Sequence, residues 1–155
     1  MKRFILILLT GLMISCNDND KPVIIDTSID LSVKNYHGVD LLNPDNPNAF
    51  KENNIKIFYI ENGKKIEVIK PNLEYPRCFF IFQHEKEYRI RIIANDNRKE
   101  EFPITIIQWD EKNADTIKCS IERKANIVVC TKVWINDSLA WSSYNNERFI
   151  EIIKY

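Results

Sequence analysis

Apolar and polar residues alternate along most of this chain with a period of two. Ile29, Leu31 and Val33 are interleaved with Asp30, Ser32 and Lys34, the pattern of a strand with one face in a core and the other toward water. Ile55 to Ile60 is a second run, and the Asn62-Gly63 pair behind it is the strongest short signal for a two-residue hairpin loop, with Ile66 and Val68 on the return strand. Pro71 to Pro76 interrupts the pattern, and Cys78 to Gln83 is a dense apolar strand. A turn at His84 to Glu87 then leads into Tyr88, Ile90 and Ile92, alternating with Arg89 and Arg91. Further strands are expected at Ile104 to Trp109, Thr116 to Glu122, Ile127 to Ile135 and Phe149 to Tyr155. Short strands separated by antiparallel turns predict an all-β, antiparallel β-sandwich of immunoglobulin-like or transthyretin-like type, with about eight to ten strands. Their short and unequal lengths favour a sandwich over a barrel.

The stretch from Phe4 to Cys16, FILILLTGLMISC, breaks this pattern. Lys2 and Arg3 precede an apolar run too short to span a bilayer, and a Ser15-Cys16 junction closes it, the layout of a cleaved export signal. The expected organisation is a lipoprotein signal peptide over 1–15, a lipidated Cys16 with a polar tether over 16–28, and one β-sandwich domain over 29–155. Met13 stands where the usual lipobox has Leu, while Ser15 fits the position before the cysteine. The acidic stretch Asn17-Asp18-Asn19-Asp20 resembles the one that follows the lipidated cysteine in surface-exported lipoproteins of the Bacteroidetes type. That resemblance is confined to the signal and tether, with only a general likeness to small β-rich lipoproteins of such bacteria beyond them. It implies an outer-membrane location, on the cell surface in some members, with the membrane engaged through the N-terminal lipid.

Composition narrows the remaining possibilities. Past the signal about 140 residues remain, enough for one core. Without Lys2 and Arg3 the mature part holds 20 basic against 22 acidic residues, and nothing in that balance points to nucleic acid as a partner. Only three glycines occur in the chain, too few for a Gly-rich phosphate loop or a dinucleotide fingerprint.

Several residue sets have chemical potential. Asp40, Asn43, Asp45 and Asn48, in the Pro-broken loop GVDLLNPDNPNAF, offer oxygens of the kind Ca²⁺ prefers, although their spacing is not that of an EF-hand. The same residues are ordinary turn formers. Cys119 and Cys130 fall on consecutive strands; a turn centred between Lys124 and Ala125 sets them opposite and permits a disulfide, whereas burial of Val129 and Val133 would point the sulfurs apart. Cys78 reads as a buried thiol, and a Cys78 with His84 dyad requires both on one face. No G-x-S-x-G, H-E-x-x-H or C-x-x-C motif occurs. Trp109 and Trp134 read as core residues of adjacent strands, whereas Trp141 and Tyr144, in a polar stretch, are candidates for stacking on a glycan or anchoring a protein partner. The expected function is a non-enzymatic binding or accessory module, with a hydrolase or inhibitor acting on a surface glycan or protease as the alternative.

Overall fold

A computed structural model describes residues 24–143 and 147–155. The described residues form eleven strands: β1 (Ile24–Asp26), β2 (Ser28–Asn35), β3 (Lys56–Glu61), β4 (Lys64–Glu67), β5 (Phe79–His84), β6 (Glu87–Ile93), β7 (Ile104–Gln108), β8 (Ala114–Lys124), β9 (Ile127–Ile135), β10 (Ser138–Ser142) and β11 (Phe149–Lys154). They make two sheets. The larger runs β1-β9-β8-β7-β3-β4, with β10 also paired to β9, and the smaller runs β11-β2-β6-β5.

The all-β sandwich arrangement expected from the alternation is present, with one residue parity of β2, β3, β6, β7 and β8 facing inward. Ile29, Leu31, Val33, Ile90 and Ile92 of the smaller sheet meet Ile57, Ile107, Ile117, Cys119 and Val133 of the larger, all at most 1% exposed. Trp109, also fully buried, stacks on Phe50 with ring centroids 5.4 Å apart. The Asn62-Gly63 hairpin forms as expected, with both residues at positive φ (50° and 75°), as a two-residue loop matching the strand twist requires.

Three details differ from the sequence reading. The sheets are mixed rather than antiparallel, because β1 pairs parallel with β9 and β11 parallel with β2. The chain passes from the larger sheet to the smaller at Thr27, and its last strand returns alongside β2 in the same direction. Strand pairing also begins at Ile24, inside the stretch expected to be tether up to residue 28. Finally, β10 occupies part of the polar stretch that holds Trp141, where no strand is expected from the alternation. It follows a two-residue turn at Asn136 (φ 48°) and Asp137 (φ 67°), the left-handed conformation that Asn and Asp tolerate better than most residues.

Arg148, just ahead of β11, clamps the crossing at Thr27. Its guanidinium donates to the Asp26 carboxylate (2.8 and 3.2 Å), to the Ser28 carbonyl (2.7 Å) and to the Cys130 carbonyl (3.1 Å). It also lies 5.0 Å from the Trp141 ring centroid. One side chain thereby ties β1, β2, β9 and β10 together along one side of the sandwich.

Candidate binding surface

The outward face of the smaller sheet carries an ordered array of charge and aromatic rings. Cross-strand register places Phe80, Arg91, Asp30 and Phe149 in one row. In the next, Phe82 pairs with Arg89 and Ser32 with Glu151. Lys34 bridges Glu87 (3.2 Å) and Glu151 (2.5 Å) at the far end. Arg91 grips Asp30 through Nε and Nη2 at 2.6 and 2.7 Å, the two-pronged geometry that fixes both planes. Arg89 joins Glu87 and Glu147 and lies 3.8 Å from the Phe149 ring centroid. Asp30 and Ser32 are buried on this face, and among the described residues the Ser32 hydroxyl has no hydrogen-bond partner.

Along β5, at the edge of this face, three half-buried rings follow one another. Tyr75 stacks on Phe80 at 4.1 Å and Phe80 meets Phe82 at 5.6 Å, with the Arg91 guanidinium 5.8 and 5.5 Å from the two phenylalanine centroids. Phe80 and Phe82 point outward because they share the parity of the arginines they pair with, while Phe79 and Ile81 turn inward. The sequence signal was there: the apolar run of β5 continues through both parities, so one of its faces must be uncovered by the core. Its pairing with the Arg89 and Arg91 face identifies which.

At the opposite end of the face lies a cleft of about 240 Å³, bordered by Asp26, Asp30, Arg91, Trp141, Glu147 and Arg148. The Arg148 guanidinium hydrogen-bonded to Asp26 holds that carboxyl below its usual range. The Asp30 hydrogen bond holds the Arg91 guanidinium even more firmly protonated than usual. With each aspartate engaged by an arginine fork, the cleft offers fixed donors and acceptors to a ligand.

Trp141 borders this cleft but is not the exposed ring expected from the sequence. It is 5% exposed, and its indole N–H donates to the Glu147 carbonyl at 2.8 Å. Burial follows from β10, whose pairing with β9 turns this residue inward beneath Arg148. Tyr144 lies outside the described residues, as does Cys16. Trp109 is in the core, whereas Trp134 faces out from the larger sheet, edge-on to Phe102 at 5.9 Å.

The Asp40 loop uses its oxygens on its own backbone. The Asp40 carboxylate accepts from the amides of Leu42 and Tyr88, both at 2.8 Å, the Asn43 side chain accepts from Asp45 N–H at 2.9 Å, and Asn46 accepts from Asn48 N–H at 3.0 Å. Asp45 and Asn48 are exposed side chains. The local turns shape the loop and the Tyr88 bond pins it to β6, so both Asp40 oxygens are engaged by main-chain amides. Among the described residues no three His, Cys, Asp or Glu side chains form a metal-holding group.

The cysteines are decided by a bulge. Cys119 pairs with Val133 and Ile121 with Cys130, so Thr131 is the extra residue and parity switches across it. Both sulfurs therefore face the core, diagonally related rather than directly opposite. They stand as thiols, and Cys130 donates to the Lys132 carbonyl at 3.4 Å; the interaction with Cys130 and burial push the Cys119 thiol up, and the interaction with Cys119 draws Cys130 down. Cys78 and His84 stand at opposite ends of β5, about 20 Å apart along an extended strand, and form no dyad.

The chain matches no family model, and neither curated proteins nor solved structures provide a match.

Proposed function

We propose that this protein is an exported, lipid-anchored binding module of the cell envelope, non-enzymatic, with the outward face of the β11-β2-β6-β5 sheet as its contact surface. The observation carrying this reading is the strip of half-buried rings Tyr75, Phe80 and Phe82 beside the Arg91–Asp30 pair. Aromatic faces next to rigidly held polar groups suit a ligand with one apolar and one hydrogen-bonding side, as a sugar ring has. A surface glycan is therefore the favoured ligand. The basic start, short apolar run and Ser15-Cys16 junction support the anchoring half of the proposal.

Binding of the chain from Asn17 onward to an array of bacterial envelope polysaccharides tests the contact surface. Phe82→Ala and Tyr75→Ala are expected to weaken any binding at least about tenfold, the cost of losing one stacking ring. Retained affinity in both variants would move the site elsewhere, and absence of glycan binding would refute the ligand class. In the producing cell, Cys16→Ser should release the protein from the membrane fraction. Membrane partitioning unchanged by that substitution would refute lipid anchoring.

A further inference from the structure

A sheet edge displays unpaired N–H and C=O groups, and proteins usually blunt it with charge, proline, a bulge or short length. Most edges of this sandwich are protected in that way. β4 carries Lys64, Lys65 and Glu67, β11 carries Glu151 and Lys154, β1 has three residues and β10 is bulged between Leu139 and Trp141. β5 differs: its six residues, Phe79–His84, contain no Asp, Glu, Lys, Arg or Pro and pair with β6 in unbroken register.

The polarity of that edge follows from the hairpin. The two-residue loop Glu85-Lys86 closes on His84 and Glu87, so hydrogen-bonded pairs recur at Phe82 with Arg89 and at Phe80 with Arg91. The Ile93 N–H to Cys78 carbonyl bond, 2.9 Å, continues the same series. The main-chain groups of Phe79, Ile81 and Gln83 therefore point away from β6, where the sheet has no further strand among the described residues.

The required partner is an uncharged extended strand with apolar residues of both parities, a description that β5 itself satisfies. We propose that two copies of this chain join edge to edge through β5, antiparallel and centred on Ile81, making one eight-stranded sheet from two of four. In that register Ile81 faces Ile81 of the second copy and Phe79 faces Gln83, both as hydrogen-bonding pairs, while Phe80 faces Phe82 on the outward side. The closely spaced non-hydrogen-bonded site suits such a ring pair. Just beyond the strand, Arg77 falls opposite Glu85, giving two symmetry-related opposite-charge contacts at the ends. Glu85 is exposed in its turn and Arg77 retains 39% side-chain exposure beside Glu52, so both are available. A two-fold axis needs such self-complementarity, each contact occurring twice. The aromatic strip would then run unbroken across both copies. The inference rests on edge geometry and does not depend on any ligand for that strip.

Light scattering coupled to gel filtration tests it on the chain from Asn17 onward, which contains all the strands described above. The expected mass is twice that of one chain. Gln83→Pro removes an N–H pointing to the free edge without touching the β6 ladder, and Phe82→Lys brings a charge against Phe80 of the second copy. Each should halve the mass while leaving the melting temperature of the fold in place. A single-chain mass up to about 200 µM, a range that detects even weak association, would overturn the proposal. So would a folded Gln83→Pro that still dimerises; should Gln83→Pro fail to fold, Phe82→Lys decides by the same criterion.

Discussion

Asp115 is the most consequential buried charge of the larger sheet, and replacing it with alanine provides a sharp test of how the core end is held. The residue is 3% exposed and accepts from Trp109 Nε1 (2.6 Å), Asn136 Nδ2 (2.8 Å) and Lys154 Nζ (2.5 Å). Burial alone would raise its pKa, but the donors outweigh burial and the carboxyl is held below its usual value. Asp115→Ala leaves an indole N–H and an amide without their acceptor, at about 1–3 kcal/mol each, while Lys154, still 18% exposed, recovers some solvation. The total expected loss is about 3–5 kcal/mol, in the range for breaking one side of a buried pair. That is a large fraction of the ~5–15 kcal/mol available to a domain. Urea unfolding followed by tryptophan fluorescence would read it as a fall in midpoint at unchanged slope. The sign with pH also follows: a depressed folded-state pKa means Asp115 stabilises fully above the unfolded value near 3.9 and progressively less as pH falls through the folded value. The variant should thus lose stability at pH 7 and show a shallower acid decline. A loss below about 1 kcal/mol at pH 7, no more than an ordinary hydrogen bond, would refute the reasoning.

Arg148→Met keeps a comparable apolar stem but removes every donor to Asp26, Ser28 and Cys130, and should cost about 2–3 kcal/mol in urea unfolding, consistent with loss of charged hydrogen bonds. Hydrogen exchange should rise first at Ile24 to Ser28, and unchanged protection there would refute the clamp. Cys78, Cys119 and Cys130 are buried thiols, so a thiol reagent should be inert toward a Cys16→Ser form when native and titrate all three in denaturant. Two fewer thiols in denaturant would reveal a Cys119–Cys130 bridge.

Strand positions were legible wherever one parity is apolar and the other polar, as in Ile29, Leu31 and Val33. The β8-β9 hairpin shows where that rule stops. Val128 and Cys130 point inward, yet so does Val133, an odd step that alternation alone cannot predict because it depends on one extra residue, Thr131. Trp141 is buried rather than exposed for a related reason: its polar neighbours suggest a surface position, but an Asn-Asp turn converts them into an outer strand that carries the ring inward. The array on the smaller sheet was half legible. Arg89 and Arg91 announced a wet face, but only the pairing of β5 with β6 places Phe80 and Phe82 on it, and the partner of Asp30 lies 61 residues away. The Asp40 loop held the right residue types for turns and cations alike, and the main-chain amides claimed Asp40 and Asn43.

The first strand also sets how the domain would respond to tension. β1 has only three residues, all exposed, whereas the chain just behind it is gripped by the Arg148 fork. A pull from the N-terminal side meets this short strand first and can strip it from β9 one hydrogen bond at a time, paying out about 10 Å of line over three residues. Only then does the load reach Arg148 and the buried β2. The arrangement acts as a tear-strip ahead of a rivet: the first strand yields under strain while the smaller sheet keeps its shape.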